Sequence, residues 1–142
     1  MTRILRLFAT LRSQREPFIR FAVVGTFGFL VDATALTVAL DHGAGLYLGR
    51  AISFLTAATT TWYLNRKITF ESRDLRIFRE WLRFLLANAV GGLANFVVYA
   101  ALVAFVSVFA HHPILAVAAG SVTGLTLNYL LSKRIVFANK AT

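Results

Sequence analysis

An interval without charged residues constrains this sequence more than any other feature, because residues 84–132 contain no Asp, Glu, Lys or Arg. Residues 21–65 contain only three such side chains, which are Asp32, Asp41 and Arg50. Apolar residues make up 58% of the chain and charged residues 15%, whereas soluble domains have about 45–50% and about 25%. The sequence therefore predicts an integral membrane protein.

Four apolar segments are long enough to cross a membrane, since roughly 30 Å of hydrocarbon requires about 20 mostly apolar residues in a helix. They cover residues 18–40, 46–65, 84–108 and 113–132. Short breaks separate the first from the second and the third from the fourth, whereas the central break is long and charged. We expect an all-α integral membrane protein with four transmembrane helices.

The positions of the basic residues predict the orientation of these spans. Fourteen of the fifteen basic residues lie in the two termini and the central loop, and Arg50 alone lies on the other side. Because loops rich in Lys and Arg remain in the cytoplasm, both termini and the central loop are expected to be cytoplasmic. The same distribution explains the net charge of +9 without nucleic acid, and none is expected as a partner.

The sequence contains an internal repeat. FIRF at residues 18–21 resembles WLRF at residues 81–84, which lies 63 residues later. The same spacing aligns Gly28 with Gly91 and Asp32 with Asn95. WYLNRKITF at residues 62–70 likewise resembles YLLSKRIVF at residues 129–137. Each half contains an even number of spans, so the halves must run in the same direction, as parallel repeats of transporters do. We expect one domain over residues 1–142, with repeat one at 18–71 and repeat two at 80–138.

Two amphipathic segments flank the predicted spans. Residues 1–17 are basic and place Ile4, Leu5, Phe8 and Leu11 on one helical face, and residues 74–85 show a similar pattern. Both are expected to form interfacial helices on the cytoplasmic leaflet. Their cations either anchor the topology alone or also hold a lipid phosphate.

Polar residues within the predicted spans are candidates for function. Asp32 lies twelve residues after Arg20, so it is expected roughly 18 Å along the helix, near the bilayer midplane. A charge at that depth costs at least about 2.5–3.5 kcal/mol and by default indicates a functional site. The alternative for Asp32 is a protonated side chain bonded to a neighbouring Thr. The alternative for the hydroxyl residues is ordinary packing between transmembrane helices. We predict a polar seam formed by Asp32, Thr56, Thr59, Asn65, Asn88, Asn95, Thr123 and Asn128.

The motifs of this chain resemble those of the GtrA-like family. Arg20-Phe21 opens the first span, LNRKITF at residues 64–70 closes the second, and Arg83-Phe84 opens the repeat. The resemblance covers residues 18–137, and its most specific part is the element formed by Asn65, Arg66, Thr69 and Phe70. The second half departs from it, because SKRIVF has no Asn directly before its cations.

The resemblance implies a bacterial inner-membrane protein of cell-surface polysaccharide assembly. Such proteins are thought to flip a polyprenyl-phosphate-linked monosaccharide, or to anchor the glycosyltransferase that makes it. The implied partners are thus the polyprenyl-phosphate-linked sugar lipid and the glycosyltransferase. Because four spans are few to enclose a sugar, a homo-oligomer is also expected. Since Arg and Lys bind phosphate, the expected lipid-phosphate ligands are Arg20, Arg66, Lys67, Arg83, Lys133 and Arg134.

Other functions have less support. The chain has no cysteine, which excludes disulfides, thiolate metal sites and a Cys nucleophile. His42, His111 and His112 lack carboxylate partners at metal or acid–base spacing, so we expect neither an enzyme nor a metal or other cofactor. A third hypothesis is a small proton-coupled drug exporter that uses Asp32, although the GtrA-like motifs oppose it.

Overall fold

The computed structural model describes residues 2–138, with the backbone alone for residues 2–15, 46–47 and 113–114. Every regular element among them is helical. The elements in chain order are α1 (Thr2–Asp41), α2 (Leu46–Leu64), a first π-helical segment (Asn65–Thr69), α3 (Ile77–Phe105), α4 (Ser107–His111), α5 (Pro113–Leu131) and a second π-helical segment (Ser132–Val136).

Three of these helical stretches are long and apolar enough to cross a membrane. They are Glu16–Asp41, Ile77–Phe105 and Leu115–Val136. The remaining predicted span corresponds to α2, which has 19 residues and a length of about 28 Å at 1.5 Å per residue. Arg50 and a run of threonines lower its hydropathy. The protein is therefore an all-helical membrane protein with three candidate spans.

The two amphipathic segments do not form separate helices, so this part of the prediction was wrong. α1 contains 40 residues and runs through Pro17 into the first span, giving about 60 Å of continuous helix. α3 begins at Ile77 and likewise continues through Leu85. No glycine or proline interrupts the sequence between Ile77 and Leu85, and nothing there compels the helix to end before the apolar span.

The chain reverses after α1 at a glycine. The backbone N–H groups of Gly43 and Ala44 donate to the carbonyls of Leu40 and Ala39, both at 2.9 Å. Gly43 has φ +85°, a conformation that favours glycine at the residue following a helix. This turn allows α2 to pack back along α1.

The chain divides into two compact units, residues 1–73 and 74–142. In the first unit, here called the first hairpin, α1 packs against α2; in the second hairpin, α3 packs against α5. Equivalent residues make equivalent contacts within each unit. Phe21 meets Phe70 and Phe84 meets Phe137, with ring centroids 6.1 Å apart in both pairs. The internal repeat in the sequence is thus matched by a repeated set of side-chain contacts.

A glycine allows close helix packing in each hairpin. A Cβ atom on Gly28 would overlap the side chain of Thr61, and one on Gly91 would overlap Asn128. These two pairs occupy equivalent positions in the repeat. Small residues let transmembrane helices approach closely in this way.

Candidate functional site

Each hairpin ends in a π-helical segment that carries two consecutive cations. Phe70 N–H donates to the Asn65 carbonyl at 2.9 Å, and Phe137 N–H donates to the Ser132 carbonyl at 2.8 Å. Both bonds join residues five apart, which defines the wider π turn. π turns are rare and occur frequently at functional sites. The structure therefore gives both cation pairs the same uncommon backbone.

The most specific motif of the chain stabilises the first π-helical segment. Asn65 is buried, and its side-chain Oδ1 accepts a hydrogen bond from Thr69 Oγ1 at 2.8 Å. Phe70 packs its ring edge-on against Phe21 of α1. Asn65 thus lies inside the turn at the end of α2, with its amide oxygen bonded to Thr69. Its sequence-based assignment to the polar seam remains a proposal.

The first cationic cluster consists of Arg20, Arg66 and Lys67. Arg20 Nη1 donates to the Ile68 carbonyl at 3.2 Å, which joins α1 to the π-helical segment. Arg66 is only 9% exposed, and its Nη1 lies 3.5 Å from Ser72 Oγ. Arg20 and Lys67 are exposed. Two cations of the cluster therefore face outward, while the third is packed inside.

The second cationic cluster consists of Arg83, Lys133 and Arg134, the repeat equivalents of the first. Lys133 Nζ lies 5.7 Å from the centroid of the Tyr129 ring, within the range of a cation–π contact. Arg83 is half-buried and Arg134 is exposed. Val136 stands at the position of Thr69 and has no hydroxyl. Ser132 stands at the position of Asn65, and its buried Oγ has no hydrogen-bond partner among the described residues. The two clusters share a backbone but differ in chemistry.

Three predicted seam residues lie within the second hairpin. Asn88 Nδ2 donates to the Phe84 carbonyl at 2.9 Å. Asn95 lies against Gly120 and Gly124, and Asn128 lies against Gly91. All three are half-buried. Asn95 and Asn128 thus serve the packing of α3 against α5, whereas the bond of Asn88 lies within its own helix.

The threonines of the predicted seam are exposed on their helices. Thr56 Oγ1 donates to the Ile52 carbonyl at 2.8 Å, and Thr123 Oγ1 donates to the Ala119 carbonyl at 3.0 Å. Thr59 is exposed between Thr56 and the end of α2. A hydroxyl that donates to its own helix still has oxygen lone pairs for accepting a bond. These side chains therefore present acceptor oxygens on the surfaces of their hairpins.

Asp32 forms an ion pair with Arg50 that was not predicted from the sequence. Arg50 Nη1 lies 2.5 Å from Asp32 Oδ2, and the same nitrogen lies 3.3 Å from Ser53 Oγ. Asp32 is therefore bonded to an arginine, and the alternative in which Asp32 bonds to a neighbouring Thr was wrong. The only signal in the sequence was one acid within the predicted span 18–40 and one base within the predicted span 46–65. Helix rotation decides whether two such residues meet, and the sequence does not specify that rotation.

A further ion pair lies in the loop before α3. Asp74 accepts from the Arg76 backbone N–H at 2.9 Å and from its Nε at 3.1 Å. These contacts raise the pKa of the Arg76 guanidinium above its ordinary value. Arg76 is thus neutralised locally, and we do not count it in either cationic cluster.

Comparison with known families gives a match over most of the chain. The family model described as the GtrA/DPMS transmembrane domain matches residues 20–137, which include both cationic clusters and both π-helical segments. The comparison with curated proteins gives no match.

Proposed function

The chain belongs to the GtrA/DPMS transmembrane-domain family, and from this premise we propose that it flips a polyprenyl-phosphate-linked monosaccharide across the bacterial inner membrane. The family is linked to cell-surface polysaccharide synthesis, and a flipped lipid of this kind would supply sugar on the outer side. The observation that carries the proposal is the surface of α2. Lys67 is exposed in the π-helical segment that follows α2, and Thr56 and Thr59 are exposed on the same side of α2.

The cationic clusters fit the charged part of such a lipid. A polyprenyl phosphosugar carries one phosphodiester anion where the apolar chain meets the sugar. Arg20 and Lys67 are exposed together at the end of the first hairpin, and charged donors form the stronger hydrogen bonds to phosphate. Arg66 is bonded to Ser72 and is proposed to act in the first cluster mainly by shaping the turn. Arg83, Lys133 and Arg134 are proposed to form the equivalent site of the second hairpin.

The α2 surface fits the sugar. Thr56, Thr59 and Tyr63 are exposed and Thr60 is half-buried, all on the side of α2 that also carries Lys67. Here we call Thr56, Thr59, Thr60 and Tyr63 the hydroxyl stripe. Their oxygens can accept hydrogen bonds from sugar hydroxyls. The apolar prenyl chain would meanwhile stay in the lipid, so the protein need only provide an open polar groove.

The proposed topology has four crossings, with both termini and the central loop in the cytoplasm. α2 is long enough to cross, and its lower hydropathy is consistent with a face that borders a polar path. The equivalent contacts of Gly28 and Gly91 support two repeats, which we propose are inserted in the same sense. Since four helices are few to surround a sugar, we also propose a homo-oligomer.

A non-transporting scaffold for a glycosyltransferase is the second candidate. Leu75 is 92% exposed and Phe78 is 73% exposed, and the exposed cation Arg79 directly follows Phe78 in α3. A mixed apolar and basic surface of this kind could bind a partner enzyme at the membrane surface. The third hypothesis, a proton-coupled exporter, is less favoured because Asp32 is already paired with Arg50.

Reconstitution separates flipping from scaffolding. The purified protein would be placed in vesicles whose inner and outer leaflets both contain fluorescent polyprenyl phosphoglucose, and a membrane-impermeant quencher would be added outside. We expect the protein to make more than the outer half of the fluorescence quenchable, whereas protein-free vesicles stay near one half. Wild-type protein that is folded but leaves the inner half protected would support the scaffold.

A further inference from the structure

Arg50 is held toward the middle of the first hairpin. It lies four residues into α2, yet its Nη1 contacts Ser53 one helical turn further along and Asp32 of α1. Helical side chains ordinarily point toward the N-terminus of their helix. For Arg50 that direction leads to the near end of α2, where a long cationic side chain usually reaches water. Asp32 therefore draws the guanidinium away from its usual direction.

The ion pair is incompletely satisfied. Asp32 Oδ1 is buried and has no hydrogen-bond partner among the described residues, and the Arg50 side chain is 55% exposed. An intramembrane ion pair stabilises a protein only when further hydrogen bonds complete it. A charge at such depth marks a functional site by default. The pair is thus poorly suited to stabilising the fold, and much of the Arg50 side chain remains exposed.

The second hairpin shows that the fold does not need this pair. Asn95 stands at the position of Asp32, and Val117 and Gly120 stand at the positions of Arg50 and Ser53. Asn95 packs directly against Gly120. The same helix-pair architecture therefore forms without either charge, which indicates a role for the pair other than packing.

The hydroxyl stripe lies between Arg50 and the first cationic cluster. Ser53, which contacts Arg50, is followed along the same side of α2 by Thr56, Thr60 and finally Lys67. Seventeen residues separate Arg50 from Lys67, or about 25 Å along a helix, which is most of the roughly 30 Å hydrocarbon thickness. α2 and the π-helical segment after it thus carry a cation near each end, with the hydroxyl stripe between them, while Ser53 itself is buried.

We propose that Arg50 is a second phosphodiester-binding site, with Asp32 as its displaceable counter-ion. This inference rests on the proposed function and adds an outer site for the phosphate that the first cationic cluster binds. Arginine can bind a phosphate oxygen pair with two parallel N–H donors. Asp32 occupies one side of the guanidinium, competes with the phosphate and favours its release. Arg50 then returns to its carboxylate partner.

A binding experiment with two variants tests this site. Wild type, Asp32→Asn and Asp32→Asn/Arg50→Gln would each be placed in phosphatidylcholine nanodiscs and titrated with short-chain polyprenyl phosphoglucose and phosphomannose. We expect Asp32→Asn to bind about tenfold more tightly than the double variant, because one charge-assisted hydrogen bond contributes on that scale. Arg73→Gln, which removes an exposed cation outside both clusters, should leave binding at the wild-type level.

Folding and ligand source are controlled separately. The double variant has no unbalanced charge and resembles the second hairpin, which lacks this pair, so it should fold. Wild type should bind the lipid about threefold more tightly than the double variant. This comparison tests the site even if Asp32→Asn does not fold. Glucose 1-phosphate and phosphatidylglycerol serve as competing probes. Effective competition by either would identify a general anion site and overturn the assignment to a polyprenyl phosphosugar.

The result is independent of the flipping assay. Equal affinities of wild type, Asp32→Asn and the double variant would overturn the Arg50 site even if wild type flips lipid. A clear dependence on Arg50, together with no flipping by folded wild type, would keep the site and reject the transport function.

Discussion

Arg50 and Asp32 lie on different helices of the first hairpin, and their side chains meet at 2.5 Å. No equivalent pair exists in the second hairpin, where Asn95 replaces the acid and Val117 replaces the base. The two hairpins therefore share their packing but not their charges. The internal repeat therefore supplies a matched control in one hairpin for a variant of the other.

The close approach of α3 and α5 depends on Gly91. A Cβ atom at this position would overlap Asn128, whereas one at the adjacent Gly92 would meet open space. We expect Gly91→Ala to lower the free energy of unfolding by about 1–3 kcal/mol, as overpacking does. Thermal unfolding in detergent, with Gly92→Ala as the control, measures the difference. Equal stability of the two variants would mean that the helices do not pack as described.

The π turn of the first hairpin depends on the bond between Asn65 and Thr69. Thr69→Val keeps the shape of the side chain but removes the donor to Asn65 Oδ1. A lost buried hydrogen bond costs about 1–3 kcal/mol when the acceptor stays buried. We expect that loss in thermal unfolding, together with weaker binding of polyprenyl phosphoglucose.

The second hairpin supplies the control for this change. It already has Val at the equivalent position 136, beside Ser132, so Val136→Thr should not weaken lipid binding. If Thr69→Val retained wild-type stability and affinity, the hydrogen bond would have no part in forming the site.

Lys67 is proposed to contact the lipid phosphate directly. It is exposed, like Arg73 in the loop that follows, but only Lys67 belongs to a cationic cluster. We expect Lys67→Gln to weaken binding of polyprenyl phosphoglucose several-fold, and Arg73→Gln to leave it unchanged. A salt titration provides a second reading, because exposed charge interactions weaken at high ionic strength. Identical affinities of both variants would remove Lys67 from the site.

The hydroxyl stripe predicts a separation between binding and movement. Thr56→Val removes an acceptor oxygen from an exposed position of α2 while preserving side-chain volume. If sugars pass along α2, the flipping rate should fall severalfold with little change in phosphate binding. Leu55→Ile, at a neighbouring exposed position, is the control. If Thr56→Val flipped lipid as fast as Leu55→Ile, the sugar would not pass along this side of α2.

Much of the fold follows from residue patterns. The charge-free interval and the spacing of apolar residues predicted four apolar spans, and α2 at Leu46–Leu64 and α5 at Pro113–Leu131 lie within one residue of two of them. The repeated motifs predicted equivalent halves, and Phe21 and Phe84 make equivalent ring contacts. These features depend on local composition, which a sequence displays directly.

Other features depend on small geometric differences. A π turn differs from an α turn by one residue in its hydrogen bonds, so the backbone around Asn65 and Ser132 was not predictable from periodicity. The continuity of α3 from Ile77 was missed because a change from charged to apolar composition resembles a break. The Asp32–Arg50 pair depends on the rotation of α1 against α2, which is set by interhelical packing such as that of Gly28 on Thr61.

Both hairpins are proposed to enter the membrane in the same sense, with both cationic clusters in the cytoplasm. The chain contains no cysteine, so single variants can be labelled cleanly with a membrane-impermeant maleimide. In spheroplasts we expect His42→Cys and His111→Cys to react at once, and Lys67→Cys and Arg134→Cys only after lysis. Labelling of Lys67→Cys and Arg134→Cys from opposite sides of the membrane would mean that the two hairpins enter in opposite senses.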